Sequence, residues 1–176
     1  DCNISLNVQW IPRELNVRAD CISREPEILD TDDWGVTEEF VSLLQGHFCP
    51  FTVDLFANHE NAKVQFYSFY CVPGCAGVDA FSFDWKNEFA LMVPPVSLVA
   101  RTLHYLKMCR GRGVLVAPCW PSAAYWPILQ ELGSRYATDF LKVKGNRVLS
   151  LGHNKNSLLG SPDFAGYMLA VGLDCS

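Results

Sequence analysis

The sequence has no long apolar run and lacks the short motifs of several common enzyme classes. None of its 176 residues fall in a run of about eighteen apolar residues, which excludes a membrane-spanning helix. The chain has no G-x-G-x-x-G dinucleotide fingerprint, and no G-x-S-x-G elbow surrounds Ser122 as a hydrolase nucleophile. It begins with Asp and shows no secretory signal, so we expect a piece of a longer polypeptide with no membrane partner.

Cysteine is present, but not in the arrangement of a disulfide framework or a zinc site. Eight cysteines are scattered along the chain, mostly in apolar surroundings. This distribution predicts free thiols in a reducing compartment, and therefore an intracellular protein, cytoplasmic or nuclear. Cys71 and Cys75 are close in sequence, but no second Cys or His pair stands at zinc-ligand spacing. The sequence thus predicts no metal site.

Positive charge is scarce overall, yet it is segregated. The chain has 14 Lys and Arg against 19 Asp and Glu, a net charge of −5. Residues 25–39 hold seven acids and no base, whereas 101–112 and 142–155 each hold four bases and no acid. The two basic segments predict either a local phosphate-facing patch or ordinary solvated helix and loop faces.

Apolar periodicity predicts strands that alternate with helices. We predict helices at 37–48, after Pro95, and from Ser122 to Gly133, with strands at 51–57, 89–93 and 114–118. Further strands are predicted in "YATDFLKV" and "GYMLAVGL". This alternation is typical of an α/β fold with a mostly parallel sheet. The acidic residues 26–36, which include Pro26 and Gly35, are the predicted linker to a separate N-terminal segment.

Three segments lie at the carboxyl ends of predicted strands, where open α/β sheets bind ligands. They are 54–58, 79–85 and 93–96. An acid at such a position can hold a ribose hydroxyl or a cation, or it can cap its own loop. A carbonyl of Pro94-Pro95 is kept from a helix ladder because proline has no N–H and a fixed φ. The pair therefore either offers an acceptor to a ligand or simply marks the end of the strand.

Four blocks of sequence resemble one protein family in order and spacing. They are "VDLFANHENAKVQFYSF", "GVDAFSFDW", "VPPVSLVARTL" and "GVLVAPCWPSAAYWPIL". They resemble the methyltransferase-like domain of DIRS-like retrotransposon polyproteins, which is similar to phage-type DNA adenine methyltransferases. The resemblance covers about residues 33–176. It implies a Rossmann-like, methyltransferase-type α/β domain at 37–176, with a mostly parallel sheet flanked by helices.

A second resemblance concerns the N-terminal segment. "VQWIPRELNVRADCISR" (8–24) resembles the C-terminal end of a reverse-transcriptase-linked ribonuclease H, a strand followed by a helix, placed here at 1–25. The resemblance implies that Asp20 is the last metal-binding carboxylate of that nuclease. The reaction needs several acids around two divalent ions, and the other acids would precede residue 1. We expect no nuclease activity from this chain, with Asp20 acting as a surface carboxylate.

Residues 93–96 stand where adenine methyltransferases carry Asn-Pro-Pro-Tyr or Asp-Pro-Pro-Tyr. There the polar side chain and a proline carbonyl accept from the target amino group, and the aromatic ring stacks on the flipped base. Val93 offers no acceptor and Val96 no ring. The lost acceptor costs roughly 1–3 kcal/mol and the lost stacking about 1–3 more, which lowers rate or affinity by roughly 10²- to 10⁴-fold. Pro94 and Pro95 thus mark a degenerate catalytic motif.

The resemblance also implies where a cofactor and nucleic acid would lie. Asp54, Phe56 and Ala57 would contact S-adenosylmethionine, and Asp79 its adenosine half. The predicted nucleic-acid contacts are four basic residues and one aromatic residue: Arg101, Lys107, Arg110, Arg112 and Trp120. The stretch "APCWPSAAYW" has two interpretations. It is either an aromatic surface for single-stranded nucleic acid or a strand-to-helix turn whose rings fill the core, with Trp120 the ring expected to be exposed.

These observations leave three readings of function. The first is a retrotransposon polyprotein segment whose methyltransferase-like domain has lost methyl transfer, binds no cofactor, and serves a structural or nucleic-acid-associated role. Its partners would be DNA or an RNA–DNA replication intermediate and the rest of the polyprotein. The second is an active S-adenosylmethionine-dependent DNA adenine N6-methyltransferase. The third is a decayed genomic copy without function.

Overall fold

The computed structural model of the protein describes residues 34–58, 61–68, 71, 73–151, 158–159, 161 and 164–176. The predicted ribonuclease H remnant, including Asp20, lies outside these ranges. The described helices are α1 (Glu38–His47), α2 (Val99–Cys109) and α3 (Trp126–Tyr136). The strands are β1 (Trp34–Val36), β2 (Val53–Asp54), β3 (Tyr67–Ser68), β4 (Gly77–Val78), β5 (Phe89–Met92), β6 (Arg112–Pro118), β7 (Ala137–Lys144), β8 (Leu149–Leu151) and β9 (Tyr167–Asp174). None of these helices is long and apolar enough to cross a bilayer.

The central sheet is mixed, with the strand order β2-β5-β6-β9-β7. β2, β5 and β6 are parallel, whereas β9 is antiparallel to both β6 and β7. The predicted mostly parallel sheet is therefore wrong, since half of the pairings are antiparallel. The reason lies after β7, where the described residues form the 3₁₀ turn Gly145–Arg147 and β8 but no crossover helix. An antiparallel return needs no such helix, so β9 enters the sheet in reverse.

Helices cover both faces of this sheet because successive strand residues point to opposite sides. Along β6, Val114 and Val116 pack with the buried residues of α1, whereas Leu115 and Ala117 pack with those of α2 and α3. The N-terminus of α1 is capped as predicted, since Thr37 Oγ1 accepts from the Phe40 N–H at 3.3 Å. The result is a three-layered mixed α/β domain.

Three predicted boundaries shift in the structure. Trp34–Val36, at the end of the predicted linker, form β1 and pair with β8, so these residues belong to the folded domain. α3 begins at Trp126, because Ser122 lies in a turn and Pro127 occupies the first helical turn, where its missing N–H is harmless. Gly133, predicted to stop α3, lies inside it. α2 ends at Cys109, and the next residue, Arg110, caps it in the left-handed conformation that glycine usually adopts.

Candidate functional site

The predicted site segments meet at one edge of the sheet. Because β2, β5 and β6 are parallel, the residues that follow them lie side by side. β3 extends this edge through a parallel bridge between Phe66 and Asp54, and β4 pairs in parallel with β3. The chain thus runs outward from β2 to β3 and β4, then returns to β5 on the other side of β2. Such a reversal is where open α/β sheets bind ligands.

Asp54 ends β2 beside this reversal and is only 3% exposed. Burial raises the pKa of Asp54 from 3.8 to about 7, although the backbone N–H groups of Phe56 and Lys63 and the Lys63 charge act in the opposite direction. The Phe56 N–H lies 3.5 Å from Asp54 Oδ1. The Lys63 ammonium instead contacts Glu38 Oε1 at 2.7 Å. Asp54 is therefore a buried carboxyl group that changes protonation near neutral pH.

Asp79 follows β4 at the same edge and holds a strained backbone conformation. Its φ is 59° and its ψ 109°, which side chains rarely adopt. Asp79 Oδ1 accepts from the Phe81 N–H at 3.0 Å, and its own N–H donates to the Ser68 carbonyl at 2.9 Å. Both predicted cofactor acids, Asp54 and Asp79, thus accept from the backbone of their own loops.

Aromatic side chains fill the space between these loops. The aromatic cluster consists of Phe56, Phe81, Trp85 and Tyr105. Ring centroids lie 5.6 Å apart for Phe56 and Phe81, 5.8 Å for Phe81 and Trp85, and 4.8 Å for Trp85 and Tyr105. Trp85 is completely buried, and its indole N–H donates to the Ala80 carbonyl at 2.7 Å. Phe56, a predicted cofactor contact, is therefore part of a packed cluster, and neighbouring Ala57 is buried.

The degenerate motif lies at the end of β5, on the other side of the reversal. Val93 is 6% exposed and packs in the core cluster that includes Phe40 and Leu44 of α1. Val96 is half-buried and packs against the core on both sides of the sheet. Neither position presents a polar side-chain atom or an aromatic ring to a base.

The two prolines of the motif differ in their carbonyl groups. The Pro95 carbonyl accepts from the Leu98 N–H at 2.8 Å, opening the 3₁₀ turn Val96–Leu98. The prediction that a carbonyl of the Pro-Pro pair stays out of a helical ladder is wrong for Pro95, because the donor in a 3₁₀ turn is three residues ahead and is not a proline. The Pro94 carbonyl accepts no hydrogen bond from the described residues. One acceptor of the motif remains.

The five predicted nucleic-acid contacts do not form one surface. Arg101, in the first turns of α2, stacks over the Phe81 ring at 3.9 Å from its centroid. Lys107 lies 3.8 Å from Glu131 Oε1 near the other end of α2. Arg110 and Arg112 are also at that end, whereas Trp120 follows β6 at the opposite edge. The seven residues of β6 separate the two edges by roughly 20 Å.

Trp120 is half-buried and packs edge-on against Phe164, with centroids 6.5 Å apart. The backbone N–H of the preceding residue, Cys119, donates to the Tyr167 carbonyl at 2.8 Å. Trp120 therefore lies beside the start of β9. This proximity was hidden in the sequence, since 47 positions separate Trp120 from Tyr167.

The described cysteines are free thiols, and no group of three or more His, Cys, Asp or Glu in the described ranges could hold a metal ion. Comparison with known proteins adds no assignment: no protein-family model matches the chain, and no curated protein matches it.

Proposed function

We propose that this chain is a segment of a DIRS-like retrotransposon polyprotein, in which a Rossmann-like, methyltransferase-like domain follows the end of a ribonuclease H. In this proposal the domain has lost methyl transfer and acts in association with nucleic acid. The reversal of strand order between β2 and β5 supports a fold of nucleotide-binding type. The observation that carries the loss of activity is the burial of Val93 at the motif position.

Val93 supports this proposal for two reasons. An adenine methyltransferase needs a side-chain acceptor at this point, and valine has none. The residue is also integrated in the core beneath α1, so a polar residue there would be buried without a partner, at roughly 1–3 kcal/mol. The local packing is therefore adapted to an apolar side chain. The rings of Phe56, Phe81 and Trp85 likewise fill the loops that would contact the cofactor.

We expect no heat above dilution when the chain is titrated with S-adenosylmethionine by calorimetry. In parallel, DNA incubated with the chain and methyl-labelled cofactor should acquire no label. Both measurements are repeated on the matched control Trp85→Phe, a variant that enlarges the space among the rings without adding a charge. Micromolar binding by the unmodified chain, or label on adenine, would show that the domain is an enzyme.

The second candidate function is an active DNA adenine N6-methyltransferase, and two observations favour it. The Asp54 carboxyl group is buried at the strand reversal with a pKa of about 7, and shifted acids of this kind cluster at functional sites. The Pro94 carbonyl accepts nothing from the described residues and can still take an amino group. This candidate requires cofactor binding, so the same titration decides between the two.

Nucleic-acid association has a separate test. We expect the chain to bind single-stranded oligonucleotides at low salt and to weaken steeply as salt increases, because counterions are released from each neutralised phosphate. Fluorescence anisotropy at several NaCl concentrations measures the slope of log K against log [NaCl]. A slope near zero would exclude phosphate contacts by this chain.

A further inference from the structure

One face at the edge of the central sheet carries two exposed aromatic rings with two lysines. Phe140, Lys142 and Lys144 alternate along β7 and therefore point to the same side. Tyr167 on β9 is paired with Lys144 and shares that side. Phe140 is 64% exposed and Tyr167 44% exposed. We call these four residues the aromatic–basic platform.

Acidic side chains on these two strands lie away from the platform. Asp139 is on the other face of β7, where its Oδ2 lies 2.8 Å from Nε2 of His47 in α1. Asp174 is at the far end of β9, paired in register with Arg112. Between 140 and 162 the sequence contains four Lys and Arg residues and no acid. The platform is thus a basic region on a chain whose net charge is −5.

The geometry of the rings and ammonium groups suits an unpaired nucleic-acid strand. The Lys142 ammonium lies 4.7 Å from the Tyr167 ring centroid, within cation–π range. Phe140 and Tyr167 are four residue pairs apart in the β7–β9 register, roughly 13 Å along the strands. Exposed rings on a sheet, with positive charge between them, are the means by which proteins stack bases and neutralise the backbone of a single strand.

A purely structural explanation accounts for part of this arrangement. Lysines on an edge strand, and the irregular register between Ala137 and Asp139, discourage pairing with another chain. This explains Lys142 and Lys144. It does not explain Phe140, whose ring is mostly exposed at a position where a polar residue would protect the edge better.

We propose that the aromatic–basic platform binds single-stranded nucleic acid, with bases stacked on Phe140 and Tyr167 and phosphates contacted by Lys142 and Lys144. The proposal rests on the nucleic-acid association stated above and gives it a location different from the residues of α2. Tyr167 lies at the carboxyl edge of the sheet, because its carbonyl accepts from the N–H of Cys119, the residue that follows β6. A strand that crosses β7 and β9 would therefore reach the carboxyl edge of the sheet.

The test measures fluorescence anisotropy of labelled oligothymidine DNA and oligouridine RNA with the whole chain. The double variant Lys142→Gln/Lys144→Gln should weaken binding and reduce the salt slope by about 1.4, which is 0.7 for each charge on a single strand. Phe140→Ala and Tyr167→Ala should each raise Kd by about 5- to 150-fold, the range for one lost stacking contact. Circular dichroism establishes that each variant is folded.

The matched control is Lys86→Gln/Arg135→Gln, which removes the same charge from exposed positions elsewhere and should leave the salt slope nearly unchanged. Equal losses in this control and in the platform variant would overturn the proposal, because net charge alone would then explain binding. The variant Lys107→Gln/Arg110→Gln tests the predicted α2 surface. A loss confined to that variant would also overturn the platform while leaving nucleic-acid association intact.

Two further outcomes separate this inference from its alternatives. If Phe140→Ala converts a dimer to a monomer in sedimentation without changing Kd, the platform is a contact between copies of this chain and the proposal is wrong. Screening is weak at about 20 mM NaCl. If the unmodified chain binds no oligonucleotide under that condition, both nucleic-acid association and the platform proposal are wrong. That result would leave the outcome of the S-adenosylmethionine titration unaffected. If the chain does bind, the difference in Kd between the DNA and the RNA oligonucleotide identifies which of the two the platform prefers.

Discussion

Replacement of Trp85 by alanine is expected to lower the free energy of unfolding by about 3–5 kcal/mol, the usual range for removing a fully buried tryptophan. The Trp85 ring contacts those of Phe56, Phe81 and Tyr105. These four residues come from the loop after β2, the loop after β4, the loop before β5, and α2. The ring thus holds the loops of the carboxyl edge together. Urea denaturation followed by circular dichroism measures the change.

Two variants make this prediction specific. Trp85→Phe keeps a ring but leaves the Ala80 carbonyl without its indole donor, so an intermediate loss of about 1–3 kcal/mol is expected. Phe140→Ala removes a ring that is mostly exposed, and its stability should change by no more than about 0.5 kcal/mol. A Trp85→Ala variant as stable as Phe140→Ala would show that the aromatic cluster does not hold the edge together.

Replacement of Asp54 by asparagine is expected to remove a pH dependence of stability. The folded pKa of Asp54 is raised from 3.8 to about 7 by burial, so its stabilising contribution is fully present below pH 4 and is lost as the pH rises toward 7. The shift corresponds to on the order of 4 kcal/mol between those limits. An asparagine side chain stays neutral at every pH and keeps an acceptor for the Phe56 N–H. The variant should therefore be more stable than the unmodified chain at pH 8 and similar to it at pH 4.

Asp139→Asn is the matched control, since it carries the same substitution at an exposed carboxylate. The Phe140 N–H and the His47 side chain lower the pKa of Asp139. Its contribution therefore has the opposite sign: it is present above the unfolded pKa and lost as the pH falls. Urea denaturation at pH 4, 6 and 8 compares both variants with the unmodified chain. An Asp54→Asn variant whose stability differs from the unmodified chain by the same amount at all three pH values would contradict the assignment.

Local features of the fold were predictable where they depend on neighbouring residues. Thr37 caps α1 because its hydroxyl group reaches an N–H only three residues ahead. The burial of α2 follows from apolar residues at helical spacing, with Val99, Leu103 and Leu106 all completely buried. The N-terminus of α3 was misplaced because Ser122 has the residue type of a cap but not the backbone that follows one.

The candidate site was predictable only in part. Asp54, Asp79 and Pro94 each lie at or just after the end of a strand, and strand ends can be predicted from apolar runs. The sequence did not show that Trp85 and Tyr105 fill the space between these loops, because the rings in contact belong to different segments of the chain. The basic residues show the converse: Lys107, Arg110 and Arg112 are close to Arg101 in sequence, but the length of α2 separates them from it.

The sequence by itself determined the helices, the parallel core strands, and the absence of an acceptor at position 93, because each depends on residue type and short-range periodicity. Only the tertiary structure decided that β9 enters the sheet in reverse and that Asp54 is desolvated. It also decided that Phe140, Lys142, Lys144 and Tyr167 share a face. These three features depend on contacts between residues far apart in the chain, whose pairing is selected by burial of the whole core rather than by local preference.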